Sequence, residues 1–183
     1  MKKLKFIILS LLVALISCER DDICAESTPT TPRLLVEFYD ATEPEDLKPV
    51  TRLTVYGEGL ADNPTDDNTE GTLVYNANST AVELPLLIVN SGESITTRYI
   101  LEKDTNLRLD DNDNTNSDID IIVISYETEF VYVSRACGYK SIFKNLQVTF
   151  EATDGTTWIS SIEVNEAIEQ VENENTVHVR ILH

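Results

Sequence analysis

Three cysteines, two histidines and one acid-rich loop are the residues of this 183-residue chain whose types could do chemistry. The cysteines are Cys18, Cys24 and Cys137, and the histidines are His178 and His183. Nucleophilic catalysis finds little footing in this set. No G-x-S-x-G is present, so the strained turn that exposes a hydrolase serine has no signature. A cysteine nucleophile needs an imidazole base, and only His178 meeting Cys137 in space would supply one. His178 falls on the polar parity of its strand pattern, so a solvent-facing ring is expected. Paired carboxylates could hydrolyse a glycoside, but no pair stands out among 32 acids. No glycine-rich loop is present to cradle a phosphate. Asp110, Asn112 and Asn114 give D-x-N-x-N, the opening of an EF-hand loop, with hard oxygens at alternate positions as Ca²⁺ prefers. The match then fails, because Thr115 stands at position six in place of Gly and Ile121 at position twelve in place of Glu. A polar hairpin loop is the better account, with a weak Ca²⁺ site as the alternative. The Asp62–Glu70 stretch is a weaker candidate of the same sort. No other cofactor is implied.

The remaining chemistry is at the N-terminus. Lys2, Lys3 and Lys5 precede an apolar stretch from Phe6 to Ser17. Such a stretch is shorter than the roughly 20 residues that a membrane-spanning helix needs, and it suits the h-region of a secretory signal peptide. It ends in Leu15-Ile16-Ser17-Cys18, which resembles the bacterial lipobox. There a cysteine thiol forms a thioether to diacylglycerol, and cleavage makes that cysteine the first residue. The expected organisation is a signal peptide over 1–17, a lipidated cysteine and polar tether over 18–32, and one domain over 33–183. Each buried acyl methylene contributes about 0.8 kcal/mol, and stable anchoring takes more than one chain. A triacylated Cys18 meets that condition without help from the polypeptide. Glu19-Arg20-Asp21-Asp22 follows, and resembles the surface-export signal of Bacteroidota lipoproteins. The alternative is a polar tether with no address.

With Cys18 spent on lipid, Cys24 and Cys137 are left as an even pair in an oxidising compartment. A bridge between them would close a long loop and stabilise by about 4–5 kcal/mol in the chain-entropy model. Two free or buried thiols are the alternative. A metal site is disfavoured, since no C-x-x-C spacing exists.

The formal net charge is −18, from 14 basic and 32 acidic residues. Cleavage before Cys18 would remove three lysines and no acid, taking the charge to −21. That excludes electrostatic nucleic-acid binding, which needs a Lys/Arg excess. It also argues against docking on anionic lipid through a basic patch.

The elements that must carry these residues read as strands. Leu34, Val36 and Phe38 alternate with Leu35, Glu37 and Tyr39. Leu53 and Val55 alternate with Arg52, Thr54 and Tyr56. Val82, Leu84, Leu86 and Ile88 share one parity, as do Ile95, Thr97, Tyr99 and Leu101. Ile142, Leu146, Val148 and Phe150 share another, as do Val177, Val179 and Ile181. This is the half-buried strand signature. Ile121–Ile124 is apolar on both parities, as in a central strand covered on both faces. Asp154-Gly155 reads as a hairpin turn. Asn165–Glu174 reads as a loop or one or two helical turns. Eight or nine short strands predict an all-β antiparallel β-sandwich, loosely immunoglobulin-like, with a barrel as the alternative.

Four segments carry a wider resemblance: Cys18–Cys24 (CERDDIC), Thr31–Asp40 (TPRLLVEFYD), Ser134–Lys140 (SRACGYK) with Ile142-Phe143, and Glu172–His183 (ENENTVHVRILH). In these the chain resembles a family of Bacteroidota lipoproteins known as a domain of unknown function. The resemblance implies no activity and no catalytic residue. It supports a tether followed by a β-domain, and places Cys24 and Cys137 within its most recognisable segments. The expectation is a lipid-anchored outer-membrane protein on the cell surface. It would be a non-catalytic module for a protein or glycan partner, attached to the membrane through its lipid. An envelope-complex accessory and a small hydrolase are the alternatives.

Overall fold

Residues 23–25, 28, 30–110, 112, 114–153, 155–165, 167 and 170–183 are described by a computed structural model. Alternation at the first strand is literal: Leu34, Val36 and Phe38 are wholly buried, and Leu35, Glu37 and Tyr39 are half-buried. Strands β1 (Leu34–Tyr39), β2 (Val50–Gly57), β3 (Thr72–Ser79), β4 (Ala81–Leu84) and β5 (Ser94–Lys103) come first. A five-residue helix α1 (Thr105–Leu109) follows β5. Then come β6 (Asp118–Ser134), β7 (Gly138–Ala152), β8 (Ser161–Val164), β9 (Gln170–Val171) and β10 (Val179–Leu182).

The strands form two sheets. One has the order β4-β1-β10-β8 and the other β3-β2-β5-β6-β7-β9. Their facing sides share one apolar core that includes Phe38, Leu53, Leu101, Ile122, Phe143 and Ile181. Each such side chain contributes about 1.5–3 kcal/mol relative to leaving it in water. The result is the expected all-β sandwich. One pairing is parallel, β1 with β10, in register Val36↔Val179 and Phe38↔Ile181. The other registered pairings are antiparallel.

The chain divides into two compact units. One takes the described residues from Ile23 to Thr28 together with Tyr132–Tyr139, the end of β6, a turn and the start of β7. The other, residues 29–131 and 140–183, is the sandwich.

Several local expectations are corrected. His178 does not face solvent: only 1% of it is exposed. It sits just before β10, and its Nδ1 accepts the Leu35 N–H at 3.0 Å while its own N–H goes to the Leu35 carbonyl at 3.1 Å. The imidazole thereby extends the β1–β10 ladder by one acceptor, so a polar parity is turned inward. In β6 the fully buried parity is Asp120, Ile122, Ile124 and Tyr126, with Ile121 and Val123 half-buried. In β2, Leu53 through Gly57 are all buried, on both parities. Ile88 is 54% exposed, although Val82, Leu84 and Leu86 of its parity are inside. Gly155, at φ +85°, does not serve a hairpin, because the strands flanking it, β7 and β8, lie in different sheets.

Candidate functional site

Within the sandwich the candidate site is a groove of about 290 Å³, lined by the end of β2, by β5 and by Leu60 and Leu87. Gly57 makes its floor possible. A Cβ there would come 2.7 Å from Leu60 Cδ1, so glycine lets the Leu60 side chain lie back over β2, where a larger residue would push it aside. The 57–60 turn closes with the Leu60 N–H donating to the Gly57 carbonyl at 3.0 Å. Leu60 stays 74% exposed and Leu87 57%.

Two phenols fix the opposite wall. The Tyr99 hydroxyl donates to the Pro85 carbonyl. The Tyr126 hydroxyl donates to the Leu87 carbonyl at 3.0 Å and lies 2.7 Å from Thr97 Oγ1. Burial, with the neighbouring Tyr126, pushes the Tyr99 phenol up to about 12, and burial raises Tyr126 as well. Both therefore stay protonated donors at neutral pH, and the Pro85–Leu87 segment is pinned from beneath.

The groove's charge is Arg98. Its guanidinium meets Glu151 through two bonds, at 2.8 and 3.2 Å, and Glu58 through Nε at 2.6 Å. Paired ionic bonds of this kind fix a guanidinium plane. The hydrogen bonds that Arg98 donates, to Glu151 first and then Glu58, hold it more firmly charged than usual, and the same bond lowers the Glu151 carboxyl. The groove thus offers two exposed leucines beside an oriented, partly neutralised cation. That arrangement suits recognition. It contains no nucleophile paired to a base.

The hairpin-tip unit carries a second concave surface, a cleft of about 410 Å³. Cys24 and Cys137 are joined by a disulfide across 4.8 Å between Cα atoms. Ser134 Oγ accepts the Cys137 N–H at 3.0 Å, and the Thr28 hydroxyl lies 3.6 Å from Cys137 Sγ. Gly138, at φ +71°, restarts the chain into β7. Tyr132 and Tyr139 meet edge to face at 5.5 Å and are 54% and 68% exposed; Ile23 is 75% exposed.

The other residues singled out by sequence fall as follows. Cys18, Glu19, Arg20, Asp21 and Asp22 lie outside the described residues. Asp110 Oδ1 accepts the Asn112 N–H at 3.1 Å, and both of its oxygens take the Thr115 hydroxyl, at 2.9 and 3.1 Å. Asn112 Oδ1 accepts the Asn114 N–H at 3.2 Å. These oxygens are thus engaged in local turns, and among the described residues no group of three or more His, Cys, Asp or Glu side chains could hold a metal ion. Cys137 is spent on its bridge and His178 Nδ1 on Leu35, so neither supplies the other with a partner for catalysis.

Two carboxylates that sequence reasoning missed are wholly buried. Glu102 takes Arg108 Nε at 2.6 Å and Nη2 at 3.0 Å, and the Ser117 hydroxyl at 2.5 Å. Arg108 also donates to the Pro64 carbonyl at 2.8 Å. Asp120 Oδ2 accepts the Trp158 and Ile159 N–H groups, each at 3.0 Å, and the Thr157 hydroxyl at 2.7 Å. The first fastens α1 and the Pro64 loop to β5, and the second fastens the β7–β8 crossover to β6. Asp120 had a visible signal, an acid within an otherwise apolar run.

These features define a two-sheet β-sandwich with a disulfide-closed hairpin and an open groove lined by Leu60, Leu87 and Arg98. The chain belongs to DUF6452, a family of unknown function, whose model matches residues 52–183. That span contains the groove and Cys137, and leaves out β1 and Cys24. Comparison with the curated proteins and with the solved structures finds no match.

Proposed function

We propose that this chain is a lipid-anchored outer-membrane protein facing the cell surface, whose sandwich binds a protein or glycan partner without catalysis. The observation that carries the binding role is the groove at Leu60, Leu87 and Arg98. Exposed apolar side chains set rigidly around an oriented cation are costly to leave in water and mark interaction surfaces. The lipobox-like Leu15–Cys18 and the Glu19–Asp22 run support the anchoring, as does the resemblance to Bacteroidota lipoproteins.

A photo-crosslinking residue at position 60, activated on intact cells, tests the binding role. The expected result is a discrete adduct that Leu87→Glu abolishes. A pattern indistinguishable from that of a crosslinker at Glu45, whose side chain is 93% exposed, overturns it. Protease shaving of the same cells, with a Cys18→Ala control, reports anchoring and sidedness together.

A further inference from the structure

We propose that the disulfide-closed hairpin tip is a membrane-contacting surface, in which Tyr132, Tyr139 and Ile23 rest in the phospholipid headgroup layer. This rests on the reading that Cys18 carries the lipid. Five residues, Glu19 to Ile23, then separate the anchor from Cys24, and the six Cα-to-Cα steps between them reach at most about 22 Å when fully extended. The bridge passes that limit on to Cys137, whose Cα is 4.8 Å from that of Cys24. The turn bearing Cys137 is therefore leashed to the lipid surface by covalent bonds alone, at a span shorter than the bilayer is thick.

What the leash holds there suits the interface. Tyr132 and Tyr139 are exposed and meet edge to face, and Ile23 is the most exposed large apolar side chain described. Tyrosine has an apolar ring and a polar tip, and for that reason it collects at membrane–water interfaces. The charge pattern agrees. Residues 130–150 contain no Asp or Glu and include Arg135, Lys140 and Lys144, the longest acid-free run beyond Cys18. In a chain of net charge −18, acids near an anionic leaflet would be repelled. The one long stretch without them includes the turn that the leash holds close.

The test uses the full acylated chain on vesicles of phosphatidylcholine and phosphatidylglycerol with brominated acyl chains. Acyl mass on Cys18 and flotation with the vesicles are scored first. Tryptophan quenching is then compared for Tyr139→Trp and for Leu60→Trp, against the constant background of Trp158, which is 7% exposed. Interfacial placement predicts quenching at position 139 about twofold stronger than at position 60. Tyr132→Trp repeats the measurement should Tyr139→Trp not fold. Cys24→Ser with Cys137→Ser should bring the signal down to that of position 60 while flotation persists. Flotation with equal quenching at positions 139 and 60 overturns this inference alone. Absence of acyl mass and of flotation overturns the anchoring reading, and this inference with it.

Discussion

The sandwich and the hairpin tip solve the same problem by different means. The sandwich holds its shape by burial. Phe38, Leu53, Leu101, Ile122 and Phe143 expose nothing, and its two buried carboxylates each have assigned donors. In the tip no described residue is fully buried, and a single covalent bond takes the place of a core. A region without a core is free to present apolar side chains outward, because none of them is needed inside. That is why Tyr132, Tyr139 and Ile23 are available at the tip. In the sandwich, by contrast, exposed apolar side chains such as Leu60, Leu87 and Ile88 are what remains outside a filled interior.

Removing the covalent bond should give the largest effect. The bridge spans 113 residues, and a loop of that length restricts the unfolded chain by about 4–5 kcal/mol in the chain-entropy model. Cys24→Ser with Cys137→Ser should lower the unfolding free energy by that order in urea titrations. The strand signal in circular dichroism should persist without denaturant, because no sandwich core residue changes. A loss of strand signal at zero urea would erase the distinction between the two regions.

Next comes the interior pair. Glu102 has 1% of its side chain exposed, against 21% for Arg108. Stripping a partner from a buried pair costs about 3–5 kcal/mol, so Arg108→Met should lose stability on that scale. Arg98→Met breaks pairs that are 31% to 55% exposed and should cost under about 1 kcal/mol. Equal costs in chemical denaturation would mean that depth of burial does not separate the two arginines.

Much of the sandwich was legible because alternation is a direct consequence of strand geometry. Leu34, Val36 and Phe38, then Val82 and Leu84, then Val179 and Ile181 could be placed inward from spacing alone. The misses share a cause. His178 and Asp120 are polar residues turned inward because each supplies an acceptor to backbone N–H groups that the ladders leave unpaired, and no hydropathy pattern carries that requirement. The turn at Gly155 crosses between sheets, which neighbouring residues do not encode. The groove was not foreseen, since it depends on Gly57 lying under Leu60 and on two phenols reaching Pro85 and Leu87. Cys24 and Cys137 were legible as a candidate pair from their even number and the oxidising compartment expected for the chain, while nothing in the spacing singled out the tyrosines beside the bridge.

The histidines make the sandwich, and not the tip, responsive to mild acid. Burial is the main cause lowering the pKa of both His178 and His183. His183 packs edge-on against Trp158 and Phe38. An unfolded histidine titrates near pH 6.5, so below that the unfolded chain binds more protons than the folded one. The stabilisation is thus complete above about pH 6.5 and is lost as pH falls through and below it. Asp40 and Glu151, held low by Thr42 and by Arg98, titrate further down. The urea midpoint should fall between pH 7.5 and 5.5, and His178→Leu should flatten that slope. Exposure of Tyr139 to a soluble quencher should not change over the same range.

The smallest stability effect is expected where the functional effect is proposed to be largest. Tyr139 is 68% exposed and touches Tyr132 only edge to face. Substitutions at such surface positions stay within about 0.5 kcal/mol, so Tyr139→Ser should leave the thermal midpoint almost unchanged. A buried aromatic of similar size, Phe143, should cost about 3–5 kcal/mol when truncated to Ala. A large loss from Tyr139→Ser would mean that the tip has a core after all. The tyrosine pair would then be structural, and the reason for placing it against a membrane would be gone.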